Sequence, residues 1–297
     1  MQRLALPLAF VLGIIASPLL APLARLTPYL LMLTLLVTFL RLRLDHLRVR
    51  RVHLLLLLAQ VLLSVGAYWA LRPFDIVLAM AGFMICMTPT AVAMPALVGM
   101  LRGNVEFATV ASVVSNLATA AVLPLMLAML TMSAATFDLN AFGLMVWNVM
   151  SLVIIPLFAA VLLRHVGAPL VKQVVALRSL SFYLWAMTLT LVIARSTAAL
   201  RDTPQPLTSI LATALLSLVL CLVNFWVGRR IGGAEFRMEA GQALGQKNNL
   251  FSIWVSLSVL GSPVVALGPT FYIVWHNLIN SLQLWRAHRP AASEPKV

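Results

Sequence analysis

Ten stretches of apolar residues, most of them as long as a bilayer crossing, follow one another along this chain: residues 4–22, 27–41, 53–72, 76–101, 107–131, 141–163, 181–199, 206–227, 239–261 and 264–285. A helix needs about 20 such residues to cross about 30 Å of hydrocarbon, since each residue advances it by about 1.5 Å. Only a helix or a closed barrel satisfies its own backbone there. The second stretch is short, so the local bilayer must adapt to it. A soluble alternative fails on polarity. Only 10% of the 297 residues are charged and 62% are hydrophobic, where a soluble domain carries about 25% charge. The expected fold class is an all-α polytopic membrane protein with ten transmembrane helices, solvated by membrane lipid.

The formal charge of +13 invites a nucleic-acid reading, but its distribution argues against one. With the N-terminus in the cytoplasm, Arg3, Arg41, Arg43, Arg48, Arg50, Arg51, Arg102, Arg164, Lys172, Arg178, Arg229, Arg230, Arg237, Arg286, Arg289 and Lys296 all fall inside. Arg25, Arg72, Arg195 and Arg201 fall outside. This asymmetry is the positive-inside rule. The Arg41–Arg51 run is then a cytoplasmic loop against anionic headgroups, with no nucleic-acid partner, and both termini are cytoplasmic. A competing reading makes the first stretch a secretory signal, given basic Arg3 and small Ala16 and Ala21. Against it, the apolar run continues towards Leu23, and cleavage would leave an odd number of spans.

Cys86 and Cys221 lie within apolar stretches without a partner motif, so they read as buried free thiols rather than redox or metal groups. No cofactor is expected. No feature sets an oligomeric state.

Ten spans divide into five and five near Ala134–Asn140, giving residues 1–133 as a first five-helix repeat. Residues 134–297 form a second, followed by a short cytoplasmic tail. An odd number per half inverts the second half, a recurring transporter plan whose site lies at the midplane beside broken helices. Both fourth spans carry breaks. Span four contains Pro89 and Pro95, each of which removes a helical donor and clashes with the preceding turn. Span nine contains Gly245, then Gln246-Lys247-Asn248-Asn249, which hydrocarbon cannot solvate. Ser112, Ser115 and Asn116 in span five, and His276, Asn277, Asn280 and Ser281 in span ten, recur at helical spacing beside the breaks. Plain readings compete here: the prolines as simple kinks, and the polar side chains as ordinary interhelical hydrogen bonds.

These residues resemble the bile acid:sodium symporter superfamily over essentially the whole chain. Pro89 followed by Arg102-Gly103-Asn104-Val105 fits the family's span-four run without a gap. Gln246, Pro263 and Trp275-His276-Asn277 fit its span-nine and span-ten pattern. Gln60, in Ala59-Gln60-Val61, resembles the third-span glutamine that helps hold sodium. The resemblance implies two inverted five-helix repeats in which helices four and nine cross at their breaks and form the substrate and sodium sites. It also implies a bacterial inner-membrane location.

The departures from that pattern bear on the ion. The family's span-four Ser-Asn pair is Met94-Pro95 here, and its fifth-span Ser and Thr ligands fall on Ala108 and Ser112. The acidic residue before the glutamine falls on Gln242, and the asparagine after it on Lys247. An alternative register would put Glu239 in the acidic role. Sodium needs a shell of oxygens and an offsetting carboxylate, and an ammonium in the same cavity would repel it by about 4 kcal/mol at an effective dielectric near 20. Family-type sodium sites are therefore expected to be lost, with Lys247 in their place. The plain alternative has Lys247 snorkelling or pairing with Glu239.

The candidate substrate- and ion-binding set is Gln60, Thr90, Ser112, Asn116, Gln242, Gln246, Lys247, Asn248, His276 and Asn277. None of these is expected to hold a metal or to be catalytic. The expected function is alternating-access transport of a small or amphipathic organic anion. Protons are a coupling candidate through exchange at Lys247, and sodium is disfavoured. An ordinary sodium symporter and a non-transporting membrane sensor are the competing readings. An intramembrane enzyme is disfavoured, for the chain has no His-Glu-x-x-His, no Gly-x-Ser-x-Gly and no paired intramembrane carboxylates.

Overall fold

The computed structural model describes residues 5–41, 48–132, 138–166, 171, 180–202 and 204–287. Among them every regular element is a helix. In chain order these are α1 (Ala5–Ile15), α2 (Ser17–Leu20), α3 (Thr27–Arg41), α4 (Arg51–Leu71), α5 (Ile76–Met87), α6 (Met94–Met100) and α7 (Val105–Thr131). There follow α8 (Leu139–Val166), α9 (Leu180–Asp202), α10 (Leu207–Gly232), α11 (Arg237–Gly245), α12 (Asn249–Ser258) and α13 (Pro263–Ala287).

Six segments are long and apolar enough to cross a membrane: Ser17–Leu40, Arg51–Leu71, Val105–Thr131, Leu139–His165, Leu180–Asp202 and Leu207–Gly232. The shorter α5 and α12 are also apolar. The architecture fits a polytopic membrane protein. At 25 residues α13 is long enough to cross, but His276, Asn277, Asn280 and Gln283 lower its hydropathy. Part of the Ala134–Asn140 midpoint, 134–137, and part of the Arg41–Arg51 run, 42–47, lie outside the described residues. So do Arg3, Lys172, Arg178, Arg289 and Lys296.

The first apolar stretch, expected to be one helix over 4–22, is not one. It divides into α1, the single turn of α2 and a 3-10 segment, Ala21–Leu26. Prolines in the first turns of the latter two explain the division, because a residue without an N–H starts a helical turn more readily than it continues one.

The helices are turned inside out relative to a soluble protein. On α4, Leu54, Leu58 and Leu62 recur every four residues and are exposed, while Gln60 and Ser64 are buried on the opposite face. On α10, Leu211, Leu215 and Leu222 face outward, whereas Thr213, Ser217 and Asn224 face inward. A lipid solvent rewards this arrangement, since apolar side chains lose nothing in hydrocarbon and polar ones need protein partners.

Two sheaths enclose the interrupted helices. α4 and α13 pack on α5, and α10 packs on α11 and α13. Around this core α1 lies on α9, α3 on α8 and α9, and α8 on α7. The α10–α11 pair is unusually close: a Cβ on Gly228 would stand 2.3 Å from the Ala240 carbonyl oxygen, and one on Gly245 2.4 Å from the Phe225 ring. At one end of the core, Arg50 meets Glu235 at 3.1 Å and lies over the Phe236 ring, which stacks on Phe107 at 4.4 Å.

Candidate site at the crossing of two interrupted helices

The breaks follow from local chemistry. α5 ends at Met87 because Pro89 forces the residue before it out of the helical region, and Thr88 adopts ψ 133°. The chain re-enters a helix as α6, where Pro95 occupies a first-turn position that needs no N–H. In the other half α11 stops at Gly245. Gln246 is extended at φ −93°, ψ 103°, and α12 begins at Asn249.

The two breaks meet. Asn248 N–H donates to the Pro89 carbonyl at 2.8 Å, and Ala91 N–H donates to the Gln246 carbonyl at 2.9 Å. Thr90 and Lys247 thus form an isolated antiparallel bridge. The Thr90 hydroxyl adds a third link, donating to the Ala243 carbonyl at 2.6 Å. Each unwound segment supplies the hydrogen-bond partners that a continuous helix would have supplied to itself.

Side chains from α4 and α7 complete the crossing. Gln60 donates to the Met87 carbonyl at 2.9 Å and to Thr119 Oγ1 at 2.8 Å, and its Oε1 accepts from Ser115 at 3.0 Å. The Ser115 hydroxyl also accepts from Thr90 N–H at 3.0 Å, and Asn116 donates to the Thr90 carbonyl at 3.0 Å. From α13, the Tyr272 hydroxyl donates to the Gly245 carbonyl at 2.8 Å. A cavity of about 10 Å³ beside this network is bordered by His53, Leu56, Gln60, Thr90, Ser115 and Leu244. That is the room of about one water-sized particle.

Lys247 sits at the same place with 1% of its surface exposed. Its ammonium donates to the Cys86 carbonyl at 2.9 Å. That carbonyl belongs to the last turn of α5, where helix geometry leaves C=O groups without intrahelical partners and the macrodipole is negative. Met87 and Met84 in the same turn are bonded by Gln60 and Ser252. The cut end of α5 is therefore closed by an ammonium, an amide and a hydroxyl. Lys247 has no carboxylate partner among the described residues. The pairing with Glu239 weighed from the sequence is absent: Glu239 Oε1 instead accepts from Asn104 N–H at 2.7 Å, fixing α11 to the start of α7.

Gln60, Thr90, Asn116 and Lys247 thus gather at the crossing, with Gln246 and Asn248 contributing backbone groups. Ser112 reaches it only at the limit of bonding, 3.5 Å from the Ala91 carbonyl. Gln242 points to α13, donating to Gln283 at 2.7 Å. His276 Nδ1 lies 3.3 Å from the Asn249 amide nitrogen. Asn277 bonds the Ile273 carbonyl of its own helix at 2.7 Å, so it makes no recorded link to the crossing. Thr119 and Tyr272 were not singled out from the sequence, and Asn249 was named only within the polar break of span nine. Thr119 had a signal, because it extends the Ser112, Ser115 face by one turn. Cys86 and Cys221 are free and buried. Among the described residues, no group of three or more metal-binding side chains occurs.

No family model matches this chain, and no curated protein matches it in sequence.

Proposed function

We propose that this chain is an alternating-access transporter of a small or amphipathic organic anion. In this reading it has ten spans in two inverted five-helix repeats, α5–α6 and α11–α12 being the broken fourth and ninth. It is similar to the bile acid:sodium symporter superfamily but works without the family's sodium sites. Both termini lie in the cytoplasm of a bacterial inner membrane. The observation that carries the reading is the fully buried Lys247 ammonium at a crossing of two broken helices.

The magnitudes favour an anionic ligand. Burying an ammonium costs several kcal/mol even after relaxation. The C-terminal end of α5 returns roughly 0.3–2 kcal/mol. An ammonium has three donors, and the Cys86 carbonyl is the one acceptor recorded for it. The remaining charge and donors suit a carboxylate or sulfonate. The same ammonium stands where a bound cation would otherwise close the α5 end, which supports independence from sodium. Broken helices that meet inside the bundle are the arrangement in which alternating-access transporters place their sites.

The test is uptake of taurocholate and of a small carboxylate by purified protein in liposomes, with sodium or potassium as the cation. Uptake that is indifferent to this exchange and lost in Lys247→Met supports the proposal. Binding without flux makes the protein a sensor. Strict sodium dependence returns it to an ordinary symporter.

A further inference from the structure

A second polar feature lies between the interrupted segment α11–α12 and α13. One rung is the Gln242–Gln283 hydrogen bond at 2.7 Å, and another is Asn249–His276 at 3.3 Å. Between these rungs in sequence lie Gln246, one turn after Gln242, and Asn280, one turn after His276. Gln242 lies in the last turn of α11 and Gln246 directly follows its end, while helical spacing puts His276, Asn280 and Gln283 on one face of α13. Their exposures are 1% for Gln242, 8% for Gln246, 2% for Asn249, 6% for His276 and 5% for Asn280.

The hydrogen-bond accounting of this seam does not close. Gln242 Oε1, Gln246 Oε1, Asn249 Oδ1, Asn280 Oδ1 and Gln283 Nε2 are all buried and have no partner among the described residues. Buried polar groups in folded proteins are nearly always paired, with protein or with ordered water. α11 packs tightly on α10, and its meeting with α13 is made by side chains rather than by close backbone packing. The seam begins near the start of α11 and the end of α13, both close to the Arg50–Glu235 end of the core. From Gln283 to His276 it runs about 10 Å along the helix, reaching the crossing.

We propose that this seam is an aqueous passage, a file of hydrogen-bonded water joining the Glu235 end of the molecule to the crossing at Asn249 and His276. The chemistry selects water over a cation. The unpartnered atoms include a donor as well as acceptors, the Glu239 carboxylate on α11 is engaged by Asn104 N–H, and the Lys247 charge follows Gln246 directly. Water donates and accepts alike, and it carries no charge. This inference stands independently of the transport reading.

Thiol labelling in membrane vesicles tests it, because a thiol reacts only as its thiolate, which needs water to form. Asn280→Cys and Gln283→Cys are compared with Leu278→Cys and Leu282→Cys, whose parent side chains lie on the outer surface of α13 at 61% and 44% exposure. The native Cys86 and Cys221 are buried at 0% and set the background. A membrane-impermeant methanethiosulfonate should modify positions 280 and 283 an order of magnitude faster than 278 and 282. It should do so from the face that labels Glu235→Cys. In the unmutated protein, water-edited solid-state NMR in lipid should show polarisation passing from water to the side-chain amides of Gln246, Asn280 and Gln283. Labelling at 280 and 283 no faster than at 278, or no transfer to those amides, overturns the proposal.

Discussion

The ammonium of Lys247 lies 2.9 Å from the carbonyl oxygen of Cys86, so a side chain from the second half of the chain closes a helix end in the first. The two residues are 161 positions apart in sequence. Replacing Lys247 by Met keeps the volume and removes the charge. Because a lone buried charge is costly, the ligand-free variant should melt at or above the wild-type temperature. It should also lose the stabilisation that taurocholate or a small carboxylate gives the wild type. Thermal unfolding in detergent, with and without these anions, reads both effects. A variant that keeps the ligand-dependent shift would remove Lys247 from the anion site.

Sodium should be dispensable. Under the proposed likeness to the bile acid:sodium symporters, Met94, Pro95 and Ala108 fall where sodium ligands would stand and offer no side-chain oxygen, and a hard cation needs a shell of them. Anion affinity measured by calorimetry should be the same in sodium chloride and potassium chloride at equal ionic strength. A rise in affinity with sodium alone would contradict the reading.

Thr90→Val tests the crossing itself. The substitution is nearly isosteric and leaves the Ala243 carbonyl short of the Thr90 hydroxyl, which donates to it at 2.6 Å. Its expected cost is about 1–3 kcal/mol. Thr34 also donates to a carbonyl, that of Leu30 at 2.8 Å, but this bond lies within one helix whose own ladder already serves that oxygen. Thr34→Val should therefore change stability by well under half as much. Chemical denaturation of both variants compares them directly.

Close packing of α10 on α11 makes a steric prediction. Gly228→Ala places a methyl 2.3 Å from the Ala240 carbonyl oxygen, a backbone atom that no side-chain rotation can move aside. The helices must separate, at roughly 1–3 kcal/mol or more. Gly143→Ala meets nothing within 4 Å and should be neutral or mildly stabilising, since a helical glycine costs roughly 1 kcal/mol relative to alanine. Melting temperatures that fall equally in both variants would refute the packing argument.

Orientation is open to labelling. Residue 46 lies outside the described residues, and under the proposed orientation the positive-inside pattern predicts a cytoplasmic position for it. His46→Cys and Glu235→Cys should both react with an impermeant reagent from the cytoplasmic side. Reaction from the periplasmic side at position 46 would invert the topology.

The breaks were legible where proline or glycine coincides with polar neighbours, Pro89 between Thr88 and Thr90 and Gly245 before Gln246-Lys247-Asn248, whereas Pro124, Pro156 and Pro269 sit inside unbroken helices. Polar residues at membrane depth, such as Gln60, Ser115 and Asn116, were legible because hydrocarbon cannot solvate them. Their partners were not. Many of those partners are backbone carbonyls, those of Cys86, Met87 and Ala243 among them, and a carbonyl looks the same under every side chain. Asn277 next to His276 illustrates a second limit. Neighbours on a helix point about 100° apart, so periodicity names a polar helix without saying which residue faces the crossing. The Gln242–Gln283 rung depends on the rotation of two helices at once, which a single sequence does not encode locally.

The mutual bridging of the breaks has a consequence for biosynthesis. Thr90 and Ala243 are separated by 153 residues, and at about 5–20 residues per second the second leaves the ribosome roughly 8–30 s after the first. Until then the unwound segment around Pro89–Ala91 has no strand to pair with and cannot rest in bare lipid. The newborn first half must be sheltered by the insertion machinery, or it must sit shallowly at the interface. Quality control of this protein is thus concentrated in its last third, and a truncation anywhere before Asn248 strands the earlier half unfinished.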